Sequence, residues 1–245
     1  MIYFIYGLNE RFGIYIMIIK GLQKTTLLDF PGKVACTIFT GGCNFRCPFC
    51  HNASLVIAPS NTDTISEEEL FDFLNKRRAI LDGVCITGGE PLLQKDIEDF
   101  IIKIRDLGYA VKLDTNGAFP EKLRDILSKG LVDYVAMDIK NSKEKYSLTC
   151  GTPVDTGKIS ESISLLIGGD IPYEFRTTVV RELHEPQDIE NIGEWISGAE
   201  RYFLQSFIDS GDIIGSELSA YSLEEMKQIL AFARKNIPST ELRGI

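Results

Sequence analysis

Apolar positions along the chain fall into two patterns that take turns. Six short runs are rich in β-branched and aromatic residues: VACTIFT (34–40), GVCIT (83–87), AVKLDT (110–115), VDYVAMDI (132–139), YEFRTTVV (173–180) and RYFLQSF (201–207). They are too apolar to alternate cleanly, which predicts strands of a parallel sheet buried on both faces.

The stretches between them carry helical spacing. Ser66 and Glu69 form a capping-box pattern ahead of Leu70, Phe71 and Leu74. Ile97, Phe100, Ile101, Ile104 and Leu107 line one helical face, with Gly108 as a stop. Pro120 suits a first turn before Leu123, Ile126 and Leu127, and Gly130 ends that helix. Ile159, Ile163, Leu166 and Ile167 repeat the spacing up to Gly168, and Ile189, Ile192 and Ile196 repeat it again. Ser222 and Glu225 form a second box before Met226, Ile229, Leu230 and Ala233.

Six βα units in a single compositional regime predict one α/β domain with a parallel sheet, either doubly wound or curled into a barrel. The periodicity does not choose between them. Both place chemistry at the C-terminal ends of the strands, and polar residues do collect there. Strand one runs into FTGGCNFRCPFCHN (39–52), strand two into TGGEP (87–91), strand three into DTNG (114–117) and strand four into MDIK (137–140). Strand five carries Arg176 near its end, and strand six ends in LQSF (204–207).

Composition narrows the function. The chain has 245 residues, 44% of them hydrophobic, with a formal net charge of −9. That charge disfavours non-specific binding to nucleic acid or to an anionic membrane, and no apolar run is long enough to span a bilayer. Six cysteines in a chain of this size do not read as a secreted disulfide framework, so a reducing cytoplasm is expected. MIYFIYGLNERFGIYI (1–16) lacks a basic start and a small-residue cleavage site, so no signal peptide is expected. Residues 1–16 are expected to be a poorly ordered extension or a mis-assigned start, with Met17 opening a second start and residues 17–245 forming the domain.

The candidate chemistry centres on Cys43, Cys47 and Cys50. Cys36, Cys85 and Cys150 lie singly in apolar surroundings and read as packed thiols. The triplet instead sits among Gly41, Gly42, Asn44, Arg46 and Pro48, a turn-rich context that brings thiols together. A structural zinc site closes with four ligands, and His51 is the nearby fourth candidate. Three cysteines with one vacancy fit better an iron–sulfur cluster that leaves one iron for a substrate.

The spacing C-x₃-C-x₂-C, with Phe49 before the last cysteine and then GGEP, DTNG and DIK in order, resembles the radical S-adenosylmethionine (SAM) superfamily. Within it the chain from about Met17 is similar to the activating enzymes of glycyl-radical proteins. KTTLLDFPGKVACTIFTGGCNFRCPFCHN and YFLQSF are typical wording of the anaerobic ribonucleoside-triphosphate reductase-activating proteins.

The resemblance implies an incomplete (β/α)6 barrel and a [4Fe–4S] cluster on Cys43, Cys47 and Cys50. SAM would chelate the open iron and be split to a 5′-deoxyadenosyl radical. SAM contacts are then expected from Phe49 beside adenine, Gly88 and Gly89 at the methionine portion, and Glu90 at the ammonium. Asp114, Asn116, Asp138 and Lys140 are expected at hydroxyls or carboxylate, and Gln205 at adenine or ribose, where the pyruvate formate-lyase-activating enzyme has histidine. A monovalent cation near Asp114, Thr115, Met137 and Asp138 is a further carry-over. The implied partners are a glycine-bearing loop of a reductase subunit and a low-potential electron donor such as flavodoxin or ferredoxin.

Other residues read blandly: Arg176 as an orienting or structural arginine, His184 as a loop residue, and Lys143, Glu144 and Lys145 as a solvated run. Two rival functions remain. One is a radical SAM enzyme acting on a small metabolite or peptide, which would want a C-terminal cap that PSTELRGI (238–245) is too short to build. The other is a zinc-binding module without catalysis.

Overall fold

The structure is a computed structural model that describes residues 17–57 and 63–245, so the expected extension at 1–16 lies outside the described residues. Eight strands follow one another across a single sheet in chain order. They are β1 (Ile19–Thr26), β2 (Ala35–Thr40), β3 (Gly83–Gly88), β4 (Ala110–Thr115), β5 (Tyr134–Asp138), β6 (Tyr173–Val179), β7 (Tyr202–Ser206) and β8 (Glu241–Arg243). β2 to β8 are parallel, and β1 runs antiparallel to β2.

The order decides between the two candidate architectures. A doubly wound sheet reverses its strand order at a switch point; this one never does. Each right-handed crossover therefore steps the same way and lays its helix on the same side. The result is a sheet with one covered face and one hollow face, an incomplete barrel. Among the described residues no pairing joins β8 to β1.

Six of the strands are those predicted. β1 and β8 are additions, and the expectation of strands without alternation is corrected. Val84 and Ile86, Val111 and Leu113, and Val135 and Met137 pack into the core with Leu70, Phe100, Leu123 and Ile163 of the helices. Their neighbours Cys85, Lys112, Asp114 and Asp138 point the opposite way, into the hollow. The strands looked uniformly apolar because the helix-facing positions and several flanking ones are apolar, which masks a polar set at every second place.

The helices are α1 (Ala53–Ile57), α2 (Glu67–Arg77), α3 (Ile97–Asp106), α4 (Pro120–Ser128), α5 (Tyr146–Cys150), α6 (Thr156–Ile167), α7 (Pro186–Trp195) and α8 (Leu223–Ala233). The reciprocal box forms at α8, where Ser222 Oγ accepts from Glu225 N–H and the Glu225 carboxylate accepts from Ser222 N–H. At α2 the Ser66 hydroxyl caps Glu69 N–H at 3.1 Å. Each amphipathic helix buries the predicted stripe, and cutting one fully buried leucine such as Leu70 to alanine costs about 2–5 kcal/mol.

Candidate functional site

The hollow opens at the C-terminal ends of β2 to β7 into a cavity of about 440 Å³. Cys43, Cys47, Phe49 and Cys50 line it from the loop after β2, and Gly88, Gly89 and Glu90 from the end of β3. Asp114 and Asn116 enter from β4, Asp138 and Lys140 from β5, and Gln205 from β7. Every residue expected to hold the cluster or SAM thus faces one space; Met137, expected near a cation, instead packs its side chain into the helix-facing core.

The cysteine loop is held in shape by its own polar groups. The Arg46 guanidinium donates to the carbonyls of Cys43 and Phe45, both at 2.7 Å. Cys50 N–H closes a turn on Cys47 O at 3.0 Å, and Phe45 N–H points at Cys43 Sγ at 3.4 Å. From β4, Asn116 Nδ2 donates to Asn44 Oδ1 at 2.8 Å and lies 3.8 Å from Cys43 Sγ. A strap formed by residues 207–219, after β7, is fastened to the loop and to the start of α1. In it Gly215 N–H bonds Pro48 O at 2.7 Å, Asp212 accepts from Ser54 Oγ at 2.8 Å, and His51 Nε2 donates to Ile208 O at 2.6 Å. His51, once the fourth zinc candidate, is spent on that carbonyl.

The two glycines of GGEP have a steric reason. Gly88 adopts φ +111°, and a Cβ there would lie 2.3 Å from Thr40 N. A Cβ on Gly89 would lie 1.8 Å from Gly42 O. The end of β3 is thereby pressed on the start of the cysteine loop, joined by Gly89 N–H to Thr40 O and Glu90 N–H to Gly42 O, both at 2.9 Å. Glu90, fully buried, accepts from Leu92 N–H at 3.0 Å, Thr115 Oγ1 at 2.8 Å and Asn116 N–H at 2.7 Å. It binds the GGEP turn to the DTNG turn. Burial pushes its carboxyl up to about 7 against the pull of those three donors.

Below the loop runs a ladder of alternating charges. Lys140 Nζ sits 3.0 Å from Asp138 Oδ2, and Asp138 Oδ1 accepts from Arg176 Nε at 2.8 Å. Arg176 Nη1 reaches Asp114 Oδ2 at 3.1 Å, and Asp114 pairs with Lys112. Burial alone would raise both aspartates. The Arg176 guanidinium, with Lys140 beside Asp138 and Lys112 beside Asp114, holds both carboxyls below the usual range. Burial would likewise strip the Lys140 proton, but Asp138 keeps the ammonium above its ordinary pKa.

Some readings change. Arg176 is a bridging cation with its side chain 14% exposed. His184 is a loop residue between β6 and α7 as expected, but a buried one. Lys145 pairs with Asp188 at 2.8 Å, and Lys143 lies 5.0 Å from the Trp195 ring centroid, so the charged run is partly docked. Cys36 is a core thiol as expected, whereas Cys85 lines the cavity. Cys150 packs under the cysteine loop, its carbonyl accepting from Arg46 N–H at 2.8 Å. Gln23, Asp29, Thr37 and Thr178 also line the cavity and were missed. Asp29 was foreseeable: it precedes FPG in a turn, and its carboxylate accepts from Thr37 Oγ1 at 2.5 Å.

The thiols suit an iron–sulfur cluster. All three are free cysteines that line one cavity. Among the described residues, no three His, Cys, Asp or Glu side chains are gathered for a single metal ion. A cluster spreads its ligands over several irons and takes them at wider spacing.

A curled α/β sheet with a cysteine triplet after the first parallel strand defines a class of enzymes that use a [4Fe–4S] cluster and SAM. The chain belongs to that class: residues 37–196 match the radical SAM superfamily. A relative in Methanocaldococcus jannaschii named glycyl-radical enzyme activating enzyme is 32% identical over 238 residues, covering 93% of this chain and 96% of its own. The pyruvate formate-lyase-activating enzyme of Listeria monocytogenes is 28% identical over 191 residues, 73% of this chain and 75% of its own. In fold, the chain is similar to Streptococcus suis SuiB bound to S-adenosylmethionine. The TM-score is 0.64 at 14% identity, with 82% of this chain and 48% of SuiB covered. No helix among the described residues is long and apolar enough to cross a membrane.

Proposed function

We propose that this chain activates a glycyl-radical enzyme, specifically the anaerobic ribonucleoside-triphosphate reductase, by removing one hydrogen atom from a glycine of that partner. The coarser reading, an activating enzyme of glycyl-radical proteins, is supported by the relative aligned along nearly the whole of both chains. The choice of reductase is supported by the wording of residues 24–52 and 202–207.

One observation carries the assignment of residues: a single cavity gathers the cysteine triplet, the GGEP and DTNG turns, Asp138, Lys140 and Gln205. Cys43, Cys47 and Cys50 would hold a [4Fe–4S] cluster. Bound there and reduced, the cluster would supply an electron for the reductive cleavage of SAM. Gly88 and Gly89 present bare backbone to the methionine portion. Lys140, kept charged by Asp138, meets the SAM carboxylate. Asn116 and Gln205 offer amide donors and acceptors to ribose and adenine, and Phe49 offers its ring. Asp114 and Asp138, with Thr115 and Met137 between them, are the candidates for a monovalent cation. Flavodoxin or ferredoxin serves as electron donor. Fixing SAM beside the cluster turns an encounter into a unimolecular step.

The test is anaerobic reconstitution with iron and sulfide, then dithionite and SAM, with 5′-deoxyadenosine measured for wild type and Cys47→Ala. Product is expected from the wild type alone. Adding the reductase large subunit should then give a glycyl EPR signal. Cleavage of SAM without that signal, but with one on another glycyl-radical protein, would replace the partner and keep the chemistry.

A further inference from the structure

His184 lies outside the cavity, yet it touches two residues that line it. Its side chain is buried in the turn after β6, in a residue 1% exposed. Nε2 sits 2.8 Å from the backbone carbonyl of Lys140, and Nδ1 sits 3.1 Å from Val180 N. Nδ1 also lies 3.3 Å from Val180 O, but that carbonyl already accepts from His184 N–H at 2.9 Å. A carbonyl only accepts and a backbone N–H only donates, so the two shorter contacts favour the tautomer with the proton on Nε2 and the lone pair on Nδ1. The ring also meets Phe49 edge-to-face, with centroids 6.4 Å apart. Lys140 Nζ stands 6.0 Å from the same Phe49 ring. His184 is fixed in turn from the other side, where Tyr221 OH donates to its carbonyl at 2.6 Å.

We infer that His184 is a positioning residue for SAM. It sets the main chain of Lys140 at the end of β5 and the ring of Phe49 in the cysteine loop, so that ammonium and ring hold a fixed spacing across the cavity. This rests on the proposed SAM site. The geometry explains why a neutral imidazole occupies a buried turn: it offers a donor to one strand end and an acceptor to another within a single rigid ring. Burial also holds its pKa below the ordinary value, which keeps the acceptor available at neutral pH.

Two amide substitutions separate the two contacts. His184→Asn places an acceptor near Nδ1 and preserves the bond from Val180 while losing the donor to Lys140. His184→Gln places a donor near Nε2 and preserves the bond to Lys140. SAM binding to the reconstituted, unreduced protein is measured by equilibrium dialysis, alongside iron content and Tm. His184→Asn should weaken SAM binding about tenfold at unchanged iron content, and His184→Gln should stay within about twofold of wild type. Nitrogen-15 NMR of the apoprotein should show a neutral Nε2–H tautomer. Wild-type affinity in His184→Asn would overturn the inference, as would an Nδ1–H tautomer. A parallel fall of iron content or Tm in both variants would also overturn it, assigning His184 to the core. Wild-type protein that holds a full cluster but binds no SAM would instead sink the proposed function, and the inference with it.

Discussion

Gly89 illustrates how a single residue joins two distant segments. Its missing side chain makes room for Gly42 O, which would otherwise stand 1.8 Å from a Cβ. The neighbour is backbone on both sides, so neither can rotate away. Gly89→Ala is expected to cost about 3 kcal/mol, read by urea denaturation, and to lower iron loading after reconstitution. The sequence marks both glycines as a bare strand end. It does not reveal that the close approach is to a carbonyl 47 residues earlier, because that distance is set by the pairing of β2 with β3.

Arg176 is the other residue whose role needed three dimensions. It stands on β6, and the two aspartates it bridges stand on β4 and β5. The folded carboxyls are depressed, so their contribution to stability is full above the ordinary aspartate pKa of about 3.9 and is lost progressively below it, as pH falls through their lower folded values. Arg176→Gln should destabilise the protein by about 3 kcal/mol at pH 7, since two carboxylates lose a buried partner. The gap to wild type should narrow as pH falls below about 4, because the variant's two carboxyls, freed of the guanidinium, take up protons there while those of the wild type stay ionised. Urea midpoints at pH 7 and pH 3.5 measure this. A gap that is constant with pH would show that the lost contact is packing and not charge.

At the scale of elements, the six parallel strands and six long helices were legible because each carries its own periodicity and stop signal. β1 and β8 were not. The segment IKGLQKTT of β1 is too polar to read as a strand; it pairs with β2 at the edge of the sheet and with Ile65 through one isolated bridge at Ile19. β8 has three residues in what read as a short tail. Its Arg243 donates to Glu174 at 2.8 and 3.1 Å, and Tyr134 OH donates to the same carboxylate at 3.0 Å. Glu174 is 2% exposed, so β8 neutralises a buried charge at the base of the hollow. Arg243→Ala should cost about 2 kcal/mol in urea unfolding, less than a fully buried pair because the arginine is partly solvated. Arg243→Lys should recover part of the loss.

At the scale of the whole molecule, the two faces of one sheet divide the work. Alternate residues of the same strands build the apolar core on one side and the charged ladder on the other, so the cavity is walled by the most central strands. Hydrogen exchange should follow that arrangement. Amides of β4, β5 and β6, paired on both sides, are expected to exchange last, and those of β1 and β8 first. Equal protection of β8 and β5 would mean that the sheet closes on itself in solution. The cavity's location was legible from strand-end polarity alone; its depth was not, because the inward set includes residues such as Cys85 that read as core.

The strap after β7 adds a consequence for biosynthesis. Cys50 is synthesised about 165 residues ahead of Gly215, the residue whose amide fastens the strap to Pro48. At ~5–20 residues per second, the ribosome leaves the cysteine loop without these fastenings for roughly 8–30 s. Iron delivered during that interval meets a loop not yet fastened on a nascent chain; iron delivered after release meets one already pinned at Pro48, His51 and Ser54. The position of a fastening segment in the gene thus sets the interval in which the metal meets a looser loop.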